Sequence, residues 1–299
     1  MFETSRGPRV TRRSPRVHLV LMTAALIGLV LTAGSSGAGA ASTTTTAGAT
    51  TNSSAKSNST STSTSTTTTT TTLPLKLPKS GDCTILVIGD SLGTDLGGGL
   101  YHQLEKSPKI KLELEGKSET GLANAWFYNW PRHLKKFLAQ YHPKLTILLL
   151  GGNDEQGMEV NGHPAAFNTL VWRTQYKKNV ATMMNEATEA GSAVLWIGMP
   201  IMYPNDYRQG MKVINSISAK VAKTKPHVTF LSTWKFFANA KGQFRFSAMV
   251  NGQQQVIRQA DGIHPTAVGQ NVLATYVVDE LHLLYKLPVK PAYPEIFTK

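Results

Sequence analysis

From Asp82 onward, short apolar runs rich in β-branched residues alternate with longer amphipathic stretches. The runs are Thr84–Ile88, Leu145–Leu150, Ala193–Gly198 and His227–Leu231, and Ile110–Glu115 alternates like a strand. Between them the pattern predicts helices. The first follows a Gly-rich turn and reaches about Lys106, and the second starts near Pro131, where proline suits the first helical turn. The others cover Asn168–Ala190, Tyr207–Lys223 and Thr266–Leu284. Continuous apolar strands separated by helices imply a parallel sheet covered on both faces, since a strand wetted on one side would alternate throughout. Trp234–Gln259 breaks the pattern: Asn239-Ala240-Lys241-Gly242 and Asn251-Gly252 are turn signals flanked by strand-like residues. This segment reads as two hairpin strands inserted before the last helix. No internal repeat is visible.

The first 80 residues are not domain material. Met1–Arg16 is basic, Val17–Ala33 is a weakly polar to apolar run of 17 residues, and Ala38-Gly39-Ala40 resembles a cleavage site. This order predicts that residues 1–40 are a secretory signal or, at the lower length limit for a span, an uncleaved N-terminal membrane anchor. Twenty-four of the 32 residues from 41 to 72 are Ser or Thr, and Lys56 is their single charge. Such a segment has nothing to bury against its ordering entropy, so residues 41–80 read as a disordered stalk. The folded domain is then 81–287, with a C-terminal tail at 288–299, and it lies outside the cytoplasm.

The formal charge is +13, and removing residues 1–40 leaves 26 basic against 17 acidic residues, or +9. The lysines are scattered and accompany no nucleic-acid motif, so the balance reads as a solvated basic surface and no nucleic-acid partner is expected. The single cysteine, Cys83, excludes an internal disulfide framework and a Cys-based zinc site. The histidines show no metal-ligand pattern, and no metal or cofactor is expected.

Ligands of open parallel sheets bind outside the carboxyl ends of the strands. After the first predicted strand comes Gly89-Asp90-Ser91-Leu92-Gly93, and after the second Ser118-Glu119-Thr120-Gly121. After the third comes Gly151-Gly152-Asn153-Asp154, and just before the last helix Asp261-Gly262-Ile263-His264. All four fall on one edge of the sheet.

Gly89-Asp90-Ser91-Leu92, Gly121, Gly151-x-Asn153-Asp154 and Asp261-x-x-His264 stand in the order of the blocks of the SGNH/GDSL hydrolase superfamily, which the chain resembles over roughly residues 82–285. Tyr128-Asn129-Trp130-Pro131 and the Asp-Gly-Ile-His ending look like its secreted actinobacterial branch, itself similar to the SGNH domains of polysaccharide O-acetyltransferases. The resemblance implies a three-layer α/β/α sandwich with a central, mainly parallel, flavodoxin-like sheet, and a domain that hydrolyses or transfers an acyl ester.

The residue chemistry supports this separately. A serine hydroxyl is a poor nucleophile unless a base takes its proton, and His264 is the candidate base for Ser91. Asp261, three residues earlier, would fix the histidine tautomer and stabilise the imidazolium. The backbone N–H groups of Ser91 and Gly121 and the side-chain amide of Asn153 are the candidate oxyanion donors. Glycine at 121 is read as letting substrate approach the backbone. Taken singly, Ser91 would be a helix cap, Asn153 a turn residue and His264 a surface histidine; Asp90 and Asp154 read as structural. Their convergence favours catalysis.

Trp126, Phe127, Tyr128 and Trp130 follow the oxyanion glycine and suggest a sugar platform, with Tyr128 and Trp130 as candidate substrate-binding residues. Met202-Tyr203-Pro204 and Phe244-Arg245-Phe246 are candidate rim segments. No long apolar lid segment is evident, which favours small acyl groups over long lipids. The leading expectation is a secreted serine esterase that removes acetyl-type groups from extracellular carbohydrate. The same site would also suit an O-acyltransferase of envelope polysaccharide supplied by a membrane donor partner. A lipase or thioesterase and a non-catalytic wall-binding module complete the alternatives.

Overall fold

The computed structural model describes residues 83–287 and 289. The expected signal or anchor (1–40), the stalk (41–80) and residue 288 and 290–299 of the expected tail lie outside the described residues. Strand β1 (Cys83–Gly89) leads into helix α1 (Ser91–Leu104), then β2 (Ile110–Gly116), α2 (Trp130–Tyr141) and β3 (Leu145–Leu149). A small hairpin, β4 (Met158–Val160) and β5 (His163–Ala165), precedes α3 (Leu170–Glu189). Next come β6 (Ala193–Ile197), α4 (Asn205–Ala222) and β7 (Val228–Leu231). A second hairpin, β8 (Ser247–Val250) and β9 (Gln253–Val256), precedes the closing helix α5 (Ala267–Tyr285).

The central sheet has five strands in the order β2-β1-β3-β6-β7, and every pairing is parallel. Helix α1 packs against α5, whereas α2 packs on α3 and α3 on α4, which gives a helical layer on each face. The strand patterns follow from this. β3 and β6 are buried at every residue, whereas edge strand β2 is half-covered along its length. Ile85, Leu86, Ile88, Leu96, Leu100, Leu148 and Trp196 anchor the core with almost no exposed surface. Each such side chain contributes roughly 1.5–3 kcal/mol by leaving water. This is the α/β/α architecture expected, with a hairpin insertion before the last helix.

The chain runs from β1 outward to β2 and then returns past β1 to β3, so the topological switch lies between β1 and β3. Ligand crevices of such sheets open at that point. The loops that follow these two strands, which carry Ser91 and Asn153, are therefore neighbours by topology.

Two details differ from the sequence reading. The β4–β5 hairpin is absent from it, although Asn161 (φ 53°) and Gly162 (φ 79°) supply the Asn-Gly turn that closes this hairpin. Its three-residue strands are too short to show a period. In the later insertion, Asn251-Gly252 does turn a paired hairpin, but the Asn239–Gly242 turn is closed by a single bridge between Ala238 and Phe244.

Candidate active site

Ser91 is the first residue of α1, and Asp90 caps that helix by accepting from the Leu92 N–H at 3.0 Å. The other Asp90 oxygen accepts from the N–H groups of Gly151 (3.0 Å) and Gly152 (2.8 Å). One buried carboxylate thus stitches the β1–α1 turn to the loop after β3. Burial pushes the Asp90 carboxyl up to about 6, against the pull of these backbone N–H groups.

His264 sits on the segment before α5 and brings Nε2 to 2.8 Å from Ser91 Oγ. Its Nδ1 lies 2.7 Å from Asp261 Oδ2. The second Asp261 oxygen accepts from the N–H groups of Ile263 (2.8 Å) and His264 (3.0 Å), so the aspartate organises the turn that carries the histidine. Partial burial works against ionisation of Asp261. The hydrogen bonds from the His264 ring and these two N–H groups outweigh it and hold the carboxyl below its ordinary range. An ionised Asp261 accepts only, so Nδ1 must carry the proton and Nε2 is left to accept from the Ser91 hydroxyl. The side chains of His264 and Asp261 keep 32% and 41% of their surface exposed, so the arrangement is open to solvent.

The second wall is built by the loops after β2 and β3. Asn153 Nδ2 donates to the Thr120 carbonyl at 2.9 Å, which fixes the amide plane and leaves a second N–H on that nitrogen. Thr120 is buried; its hydroxyl donates to the Lys117 carbonyl at 2.6 Å and accepts from Trp130 Nε1 at 3.0 Å. Asp154, also fully buried, accepts from the Leu122 and Ala123 N–H groups (3.0 and 2.9 Å) and from the Tyr176 hydroxyl (2.8 Å). These contacts hold the backbone just after Gly121. A Cβ on Gly121 would lie 2.0 Å from Asp154 Oδ1, so glycine is needed there for the carboxylate. This packing reason stands beside the sequence-based one, which was substrate approach.

Ser91, His264, Asp261, Asn153 and Gly121 are thus brought to one sheet edge, but of the two residues named for the sugar platform Trp130 is not available to a ligand. Trp130 is 1% exposed, its indole committed to Thr120, and it opens α2 inside the core. Tyr128 is half-buried, stacks on His133 with centroids 4.0 Å apart and meets Trp130 edge-on at 4.8 Å. Trp126, in contrast, is 83% exposed. The other candidate segments do meet: Tyr203, Phe244 and Phe246 form one aromatic cluster with centroids 4.8–5.5 Å apart.

Sequence reasoning missed Arg258 and Asp95. The Arg258 guanidinium is buried and donates to the carbonyls of Ile263 (2.5 Å) and Ile201 (2.8 Å), tying the histidine segment to the loop after β6. It lies over the Phe237 ring at 4.7 Å. Burial draws it down to about 10, against the nearby carboxylates of Asp261 and Asp95, which favour its charge. Asp95 lies one turn along α1 from Ser91 and accepts from Gln270 Nε2 at 2.8 Å. Nothing in periodicity or local motif marks either residue, because Ile201 and Gln270, which they bond, lie on distant elements.

Over residues 84–280 the chain matches the family described as protein of unknown function, DUF459. The chain belongs to this family. The DUF459 match covers the same stretch as the SGNH/GDSL resemblance, and the parallel sheet and order of blocks in this DUF459 chain are of that type. Similar solved structures include TesA, at 23% identity and TM-score 0.47, covering 67% of this chain and 99% of that one. They also include the psychrotrophic esterase EstA from Pseudoalteromonas sp., at 17% identity and TM-score 0.47, covering 69% and 100%. A catalytic mutant of an acetylxylan esterase from Geobacillus stearothermophilus is similar at 17% identity and TM-score 0.48, covering 68% and 96%. None of the curated proteins matches the chain.

Proposed function

We propose that this DUF459 protein is an extracytoplasmic serine esterase that removes small acyl groups from carbohydrate. The observation that carries the reading is the continuous hydrogen-bonded line Ser91–His264–Asp261, with an acceptor nitrogen facing the serine and an ionised carboxylate behind. His264 Nε2 takes the Ser91 proton as Oγ attacks the ester carbonyl carbon. The carbonyl electron pair moves onto oxygen, and the N–H groups of Ser91 and Gly121 and the free N–H of Asn153 receive the developing charge. Collapse breaks the bond to the alcohol oxygen, which leaves with the proton from His264. Water then repeats the sequence on the acyl-enzyme and releases the acid, restoring Ser91.

The helix N-terminus behind Ser91 favours negative charge at the same place. The exposed triad supports a bulky alcohol component rather than a long chain held in a closed tunnel. The basic, apolar and small-residue order of residues 1–40 supports the location.

Hydrolysis of p-nitrophenyl esters from acetate to palmitate, with wild type and Ser91→Ala, tests the reading. Ser91-dependent turnover confined to short acyl groups is the expected result. Rates that rise with chain length would move the assignment to a lipase or thioesterase. Ser91 acylation with transfer to a glycan hydroxyl in preference to water would make it a transferase. No acylation of Ser91 would leave a binding module.

A further inference from the structure

The cluster of Tyr203, Phe244 and Phe246 lies at the margin of the core, against which Phe244 packs, and it is built onto the segment that carries the histidine without any of its rings belonging to the triad. The Tyr203 N–H donates to the Gly262 carbonyl at 3.1 Å. Gly262 takes φ +67°, and a Cβ there would meet Tyr203 Cβ at 2.3 Å, so the tyrosine lies directly against the turn between Asp261 and His264. From the other side, the N–H groups of Ile257 and Arg258 both donate to the Phe246 carbonyl, at 2.8 and 3.2 Å. The Arg258 guanidinium, 5.8 Å from the Phe244 ring, bonds the carbonyls of Ile201 and Ile263 on either side of the contact. Loop, insertion and histidine segment are fastened together by one buried cation. Tyr203 nevertheless keeps 58% of its surface exposed and Phe246 37%.

Reaction geometry says which half of an ester lies there. In the proposed reaction the ester carbonyl oxygen would point to Asn153 and Gly121, on the loops that follow β3 and β2. The alcohol oxygen must receive its proton from His264 Nε2, and so the alcohol extends toward the histidine segment. We infer that Tyr203, Phe244 and Phe246 form the subsite for the alcohol half of the substrate and that its occupant is a sugar ring. This inference rests on the esterase reading above. The three rings have centroids 4.8–5.5 Å apart and are inclined at 50–85° to one another, so they form a compact aromatic corner whose exposed parts are Tyr203 and Phe246. A tyrosine face with a hydroxyl at its rim suits the apolar face and hydroxylated edge of a pyranose. Trp126 stands on the loop that follows the oxyanion glycine and serves as the comparison.

The test uses two acetates of different alcohols, mono-O-acetylated methyl glucoside and ethyl acetate, with wild type, Tyr203→Ala, Tyr203→Phe and Trp126→Ala. The ratio of kcat/KM for the sugar ester to that for ethyl acetate is expected to fall at least tenfold in Tyr203→Ala. It should fall far less in Tyr203→Phe and Trp126→Ala. Calorimetric binding of the sugar ester to Ser91→Ala, with and without Tyr203→Ala, supplies a readout independent of turnover, with at least tenfold weaker binding expected in the double variant. An unchanged ratio and unchanged binding in Tyr203→Ala, or a larger loss in Trp126→Ala, overturns the subsite. Absence of turnover by wild type with Tyr203-dependent binding retained overturns the esterase reading and leaves the subsite standing.

Discussion

Trp130 donates its indole N–H to the Thr120 hydroxyl at 3.0 Å, inside the core and directly beneath the loop that bears Gly121. The Thr120 carbonyl then accepts from Asn153, so the indole supports a candidate oxyanion donor through one intervening residue. Trp130→Phe keeps an aromatic ring but removes that donor. We expect kcat to fall about tenfold, less than the roughly hundredfold loss expected for Asn153→Ala. The Trp130→Phe/Asn153→Ala double variant should be no slower than Asn153→Ala alone, because both act through one group. Steady-state kinetics on the four proteins checks this, and simple additivity would contradict it.

Asp261→Asn tests the tautomer argument. The carbonyl oxygen of the substituted amide would still accept from the Ile263 and His264 N–H groups, so the turn should survive with its melting temperature nearly unchanged. The amide nitrogen would donate to Nδ1, which places the histidine proton on Nε2, facing Ser91. A loss of kcat between about a hundredfold and ten-thousandfold follows. A wild-type rate would show that another acid orients the histidine.

Gly121→Ala places a methyl group where Asp154 Oδ1 now lies, 2.0 Å from the ideal Cβ. Either the carboxylate or the loop must move. Overpacking of this kind costs about 1–3 kcal/mol, and the displaced N–H should lower kcat as well. Thermal melts and kinetics together check it; a variant with native stability and rate would show the loop to be soft.

Asp95 provides a pH dependence with a definite sign. Burial raises its carboxyl to about 6 from 3.8, with Asp261 adding to the rise and His264, Arg258 and Gln270 opposing it. A folded-state value above the unfolded one means that Asp95 contributes most to stability below about 4. The contribution is lost as pH climbs through about 6. Asp95→Asn removes that loss. Its melting temperature relative to wild type should therefore be more favourable at pH 7 than at pH 4, and a difference independent of pH would contradict the assignment.

The sheet is legible in the sequence because β1, β3 and β6 are buried on both faces and so read as unbroken apolar runs. Ser91, Asn153 and the Asp261–His264 pair are legible because each stands at the end of a strand or the start of a helix, where parallel sheets place ligands. The place of Trp130 is not, since whether an aromatic residue near a site faces water depends on partners such as Thr120 that spacing does not reveal. Arg258 and Asp95 are not legible at all, because the partners Ile201 and Gln270 lie on distant segments, the loop after β6 and α5. The Tyr203 cluster lies in between: its members are visible as candidate rim residues, but only the fold brings residues 203, 244 and 246 together.

Everything proposed for the site requires Ser91 to be a nucleophile activated by His264. Reaction with a fluorophosphonate followed by peptide mass analysis tests it without any assumption about the substrate. One adduct is expected, on Ser91, formed in wild type, slowed at least a hundredfold in His264→Ala and absent in Ser91→Ala. An adduct elsewhere, or labelling of Ser91 at the same rate without His264, would contradict it.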